Sequence, residues 1–182
     1  MPNEVGKHTA KVLDQMGEAV RQAAQRNLGT RRIGRNKSYG ATKSRKLAKS
    51  LTVKRDGTKL SFGSPLPYAA FIHFGVSGTD RKVENSPFKY TNKMPPIKPI
   101  LKWLKAKPVR LRDKKGRFKK QTESAMKSFA FMIARSIKRK GIPKLAYFTE
   151  AWETEAPRWE SQLLEAAALD FMEGLDDPNK KK

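Results

Sequence analysis

The chain has 182 residues, with 40 Lys or Arg against 17 Asp or Glu for a formal net charge of +23, and no cysteine. That length suits one domain able to bury its own core, and the lack of cysteine excludes a disulfide framework, Cys-ligated zinc, iron–sulfur clusters and thiol nucleophiles. No stretch approaches the ~20 apolar residues of a membrane span and no signal-peptide run opens the chain, so a soluble protein made in the cytoplasm is expected.

The charge is segregated. Between Gly29 and Lys140 there are 31 Lys or Arg against 5 Asp or Glu, whereas from Leu145 to Pro178 the balance is 1 against 9. The cationic body attracts polyanions, nucleic acid first among them. An acidic end gains nothing from coating DNA but does gain from docking on basic copies of the same chain, which points to an assembly.

In chain order, apolar residues at Val5, Val12, Met16, Ala19, Val20, Ala23 and Ala24 predict an amphipathic helix over Asn3–Leu28, stopped by Gly29. Residues 30–42 are basic and Gly-interrupted, the pattern of an arm that orders on contact. Leu51-Thr-Val53 and Leu60-Ser-Phe62 alternate around Asp56-Gly57, a hairpin signal. From Ser64 to Gly75 a short helix opened by Pro67 is expected, nearly all core, with Tyr68, Phe71 and Ile72 on one face. Residues 76–94 read as loop. Ile97–Lys105 reads as a short helix with Ile100, Leu101 and Leu104 inward.

Residues 109–120 suggest a protruding basic hairpin turning at Asp113–Gly116. Thr122–Lys140 is a helix by the spacing of Met126, Phe129, Ala130, Ile133 and Ile137, with Lys138, Arg139 and Lys140 in its last turn and Gly141 beyond. Phe148, Trp152, Ala156, Trp159, Leu163, Ala167 and Phe171 line one side of a last long helix that Pro157 kinks or restarts. The sum is an α+β fold, a small antiparallel sheet flanked by a long N-terminal helix and two C-terminal helices. It is read as one domain over residues 1–175, with a basic arm at 30–42, a basic hairpin insertion at 107–120 and a flexible tail at 176–182.

Catalytic patterns are missing. His8 and His73 do not stand at metal-ligand spacing, no serine sits in an acyl-transfer motif, and neither phosphate-cradling nor dinucleotide glycine patterns occur. No enzyme activity, metal or cofactor is therefore expected. The candidate functional residues are Arg31, Arg32, Arg35 and Lys37 on the arm and Arg110, Arg112, Lys114, Lys115, Arg117, Lys119 and Lys120 on the hairpin, clusters suited to phosphate contacts without sequence choice. Tyr68, Phe71, Phe74, Gly75, Phe148 and Trp152 are expected in the structural core.

The run Lys46-Leu-Ala-Lys-Ser-Leu51, the Asp56-Gly57 hairpin, Tyr68-Ala-Ala-Phe-Ile-His-Phe-Gly75 and, later, Gly141-Ile-Pro-Lys-Leu-Ala-Tyr-Phe148 before Ala151-Trp152 resemble the neck or tail-completion proteins of long-tailed bacteriophages. The resemblance covers roughly residues 43–175. His73 stands where that family commonly has an acidic residue, and Lys93–Lys120 looks like an insertion. What the resemblance implies is a structural virion protein of the head–tail interface: a homo-oligomeric ring, sixfold before twelvefold, around the DNA channel. Its implied partners are neighbouring neck, connector and tail-tube proteins and the genomic DNA, with no membrane. The alternative is a non-specific nucleic-acid-binding architectural protein.

Overall fold

The computed structural model describes residues 5–30, 46–106, 117 and 122–176. They fall into two compact units, one from the described residues within 1–73 and 145–182 and one from those within 74–144. The class is α+β, helices with one two-stranded antiparallel sheet.

The first unit is built on α1 (Lys7–Thr30), whose inner row Leu13, Met16, Val20, Ala23, Ala24 and Leu28 is buried. Small residues along that row let other elements approach the helix axis. The short α2 (Lys46–Lys49) leads into β1 (Thr52–Asp56) and β2 (Lys59–Gly63), which pair with Val53 opposite Phe62 and Arg55 opposite Leu60. Gly57 turns the hairpin at φ 57°, as the Asp-Gly signal requires.

α3 (Ala69–Phe74) ends the N-terminal part of the unit, and the chain returns as α6 (Tyr147–Glu155), a 3-10 turn (Ala156–Trp159) and α7 (Glu160–Asp176). Pro157 lies in that turn and restarts the helix, one of the two outcomes its position allows. α1 packs against α6, α7 and β1. Val20, Ala24, Leu28, Leu51, Leu145, Tyr147 and Ala151 form the core of this unit. Tyr147 is buried with its hydroxyl donating to the Ala69 carbonyl at 3.3 Å, and burial pushes its phenol up to about 12.

The bordering segments of the intervening unit lie side by side. Leu145 N–H donates to the Ile72 carbonyl at 3.1 Å and Ala146 N–H to the His73 carbonyl at 3.0 Å. Residues 74–144 are thus inserted between two hydrogen-bonded points of one backbone. Within the second unit, α4 (Ile97–Ala106) packs on α5 (Glu123–Lys140) through Leu104, Ala130 and Ala134. Val76 and Ile142 exchange two backbone hydrogen bonds of 2.8 Å. Thr122 caps α5 by accepting from Ala125 N–H, and Gly141 ends it at φ 72°.

Several core expectations need correction. α3 is not nearly all core: its buried pair is Ala69 and His73, while Tyr68, Phe71 and Phe74 are each about two-fifths exposed. The reason is the returning backbone at Leu145–Ala146, which lies against the carbonyls of Ile72 and His73 and leaves the larger rings outside. Gly75 is buried and Phe148 is half-buried, its ring 5.5 Å from Phe62. Trp152 is 42% exposed, because α6 turns Tyr147, Ala151 and Glu155 inward at four-residue spacing and sets Trp152 beside that row. On α7 the inner row is Leu163, Ala166 and Asp170; Ala167 and Phe171 are exposed, since the 3-10 turn breaks the phase carried from α6.

Candidate assembly surface

All but one of the basic candidates, Arg31, Arg32, Arg35, Lys37, Arg110, Arg112, Lys114, Lys115, Lys119 and Lys120, lie outside the described residues; Arg117 is described and exposed. What the structure does show is two exposed helix faces, one in each unit and described separately, that sequence reading did not single out.

The first face belongs to α7, and its direction is fixed by Asp170. That carboxylate accepts from the backbone N–H groups of His8 and Thr9, both at 2.8 Å, at the start of α1. A helix N-terminus carries unpaired donors and partial positive charge, so a carboxylate from another element caps it well. Burial alone would raise the Asp170 pKa, but the hydrogen bonds from Thr9 and His8 outweigh it and hold the carboxyl below its ordinary range. His8 Nε2 adds a 2.8 Å contact to Glu173. Ligand atoms of His8, Asp170 and Glu173 lie within 4.8 Å of one another, and the capping role accounts for both Asp170 oxygens.

With Asp170 and Ala166 turned toward α1, the opposite side of α7 carries Leu164, Ala168, Phe171 and Met172 at helical spacing. Leu164 is 73% exposed, Phe171 68% and Met172 61%. Scattered surface leucines need no explanation, but four apolar residues in one row do. Glu160 and Glu165 flank the row near its N-terminal end, exposed and without an ion-pair partner among the described residues.

The second face belongs to α5. Because Ala130 and Ala134 face α4, the outer side carries Ser128, Phe131, Met132, Arg135 and Arg139. Phe131 and Met132 are exposed large apolar side chains beside cations. Arg139 Nε pairs with Asp80 at 2.6 Å, and hydrogen bonds from Thr79 and Arg139 hold the Asp80 carboxyl low. Arg135 has no ion pair among the described residues. A depression of about 440 Å³ opens here, lined by Asp80, Met132, Arg135, Ser136, Arg139 and Lys140. By sequence, residues 74–144 hold 21 Lys or Arg against 4 Asp or Glu, so this unit carries most of the net charge.

Residues 1–75 match the HK97-gp10-like family. Its description is "Bacteriophage HK97-gp10, putative tail-component". No curated protein and no solved structure matches the chain. The HK97-gp10-like segment ends within two residues of the point where the chain leaves the first unit, so the matched part is the N-terminal portion of that unit through α3. The match agrees with the resemblance to phage neck and tail-completion proteins carried by residues 46–75. At the coarse level it indicates a phage tail component, hence a virion location and other virion proteins as partners. Among the described residues, no helix is long and apolar enough to cross a membrane.

Sequence reading missed the α7 and α5 faces because it followed one apolar row per helix, placing Phe171 in that row and leaving Phe131, Met132, Leu164 and Met172 unassigned, although α7 carries apolar residues on two sides, more than one contact with α1 can cover. That excess was the available signal.

Proposed function

We propose that the protein is a structural component of the phage neck, completing the tail and joining it to the head-side connector as a homo-oligomeric ring around the DNA channel. The observation that carries this reading is the HK97-gp10-like match over residues 1–75. Two features support it. The exposed apolar row on α7 suits a chain that buries more surface in an assembly than alone. The inserted unit, with 21 basic against 4 acidic residues, suits a surface facing a polyanion.

Work of this kind needs packing and charge, not catalysis. Phosphate contacts by Lys and Arg release counterions and carry no sequence preference, as a channel passing any genome sequence requires. The arm at 30–42 and the stretch at 107–120 supply the densest cation clusters for that contact.

Electron microscopy and native mass measurement of the purified protein test the reading. Closed rings with DNA retention that falls steeply with salt are expected; a protein neutralising six to ten phosphates loses about 10³–10⁵ in affinity between 50 and 200 mM salt. A monomer at every concentration that still binds DNA tightly would favour the architectural nucleic-acid binder instead.

A further inference from the structure

We infer that α7 of one copy docks antiparallel on α5 of the next copy, and that this head-to-tail contact is what closes the ring. The inference rests on the assembly reading above and names the surfaces that make it.

Each face has an apolar stretch and a charged end, acidic on α7 and net basic on α5, where Asp80 already pairs with Arg139. On α7, Leu164, Ala168, Phe171 and Met172 stand with Glu160 and Glu165; on α5, Phe131 and Met132 stand with Arg135 and Arg139. Glu160, Glu165 and Arg135 make no ion pair among the described residues. Parallel pairing of α7 with α7 or of α5 with α5 would oppose like charges, and antiparallel pairing of either helix with its own copy would press the charged end onto the apolar end and bury charge without a partner. The mixed pairing places each charge opposite its complement. DNA fits neither face as well: carboxylates exclude it from α7, and Phe131 with Met132 offer nothing to a phosphate.

The order of residues sets the direction. On α7 the carboxylates lie toward the N-terminus and the apolar row runs to the C-terminal half, whereas on α5 the apolar pair comes first and the guanidiniums follow. Charge meets charge and apolar meets apolar only when the helices run antiparallel. That arrangement also sets the positive end of one helix dipole beside the negative end of the other. The helices are matched in length, 17 and 18 residues, about 25 Å each at 1.5 Å per residue.

Each copy carries one α7 face and one α5 face, made of different residues. Such a contact is heterologous and forms a ring when the rotation closes.

The chain has no cysteine, so introduced thiols report cleanly. Ser161 and Ser136 are exposed beside the charged ends of the two faces, and Ser128 lies at the apolar end of α5. Mixing Ser161→Cys with Ser136→Cys protein and adding a short bis-maleimide crosslinker should give covalent heterodimers, and the double variant a ladder of multimers. Ser161→Cys with Ser128→Cys should crosslink far less. Arg135→Glu should raise the concentration for half-assembly roughly tenfold, and adding Glu165→Arg should restore it.

Rings of normal mass without the Ser161–Ser136 crosslink would overturn this contact and leave the ring standing. Preference for Ser161–Ser128 would overturn the antiparallel direction. A crosslink confined within single chains of the double variant would overturn the second copy as occupant. A monomer at all concentrations would overturn the ring reading, and this contact with it.

Discussion

Replacing Gly141 by Ala should destabilise the second unit by about 3–5 kcal/mol. Gly141 sits at φ 72° and ψ −166°, a region that is essentially closed to residues with a side chain and costs of order 1–3 kcal/mol. A methyl group there would also land on the carbonyl oxygen of Val76 and against the amide nitrogen of Gly78, closer than real atoms approach. Those are backbone atoms, so relief requires moving residues 76–78 away. The movement separates Val76 from Ile142, whose two 2.8 Å hydrogen bonds contribute about 1 kcal/mol each. The assay is hydrogen exchange resolved by peptide, alongside denaturant unfolding. Peptides from residues 74–106 and 122–144 should lose protection while α1, α6 and α7 keep theirs. Gly174→Ala is the control: no atom outside its own helix backbone and chain neighbours lies within 4 Å of the added carbon, so it should be neutral or stabilise α7 by up to ~1 kcal/mol. If Gly141→Ala unfolds within about 0.5 kcal/mol of the parent protein, the close approach of residues 76–78 does not constrain this position.

Leu145→Ala removes a fully buried side chain from the core of the first unit and should cost about 2–5 kcal/mol in denaturant unfolding, against less than 1 kcal/mol for the exposed Leu164→Ala. Replacing residues 74–144 by a short Gly-Ser linker should leave a folded first unit with native-like helical circular dichroism, because Ile72 and His73 already hydrogen-bond Leu145 and Ala146 across the insertion point. Acidification tests the carboxylates. Hydrogen bonds from Arg21 and Gln22 hold Glu18 at about 2, below its ordinary 4.5, so its contribution is complete above pH 4.5 and is lost as pH falls toward 2. Thermal melts should decline over that window, and Glu18→Gln should flatten part of the decline.

Most elements were legible in the sequence because they follow local rules. The periodicity of α1 and α5, the Asp56-Gly57 hairpin and the Thr122 and Gly141 boundaries each come from a few neighbouring residues. Burial was less legible, because it depends on what a face meets. The rings of Tyr68, Phe71 and Phe74 read as core from composition, yet the returning backbone at Leu145 takes the space beside α3. Asp170 reads as an ordinary acidic residue in an acidic helix until its carboxylate is seen on the amides of His8 and Thr9. Glu155, buried between Arg26 at 3.2 Å and Arg158 at 3.3 Å, was equally invisible, since its first partner is over a hundred residues away in sequence. The division at residue 145 coincides with the reversal from basic to acidic composition, but the one at residue 73 has no such mark, because the basic excess begins well before it. The two exposed helix faces follow the same pattern: their residues were in view, but only the contacts of α7 with α1 and of α5 with α4 decide which sides remain open.

The most direct test of the central claim is electron microscopy of particles produced when this gene is disrupted in its source phage. Filled heads beside separate, complete tails, with joining restored by the intact gene, are the expected result. Normal joined virions from the disrupted gene would contradict a head–tail joining role.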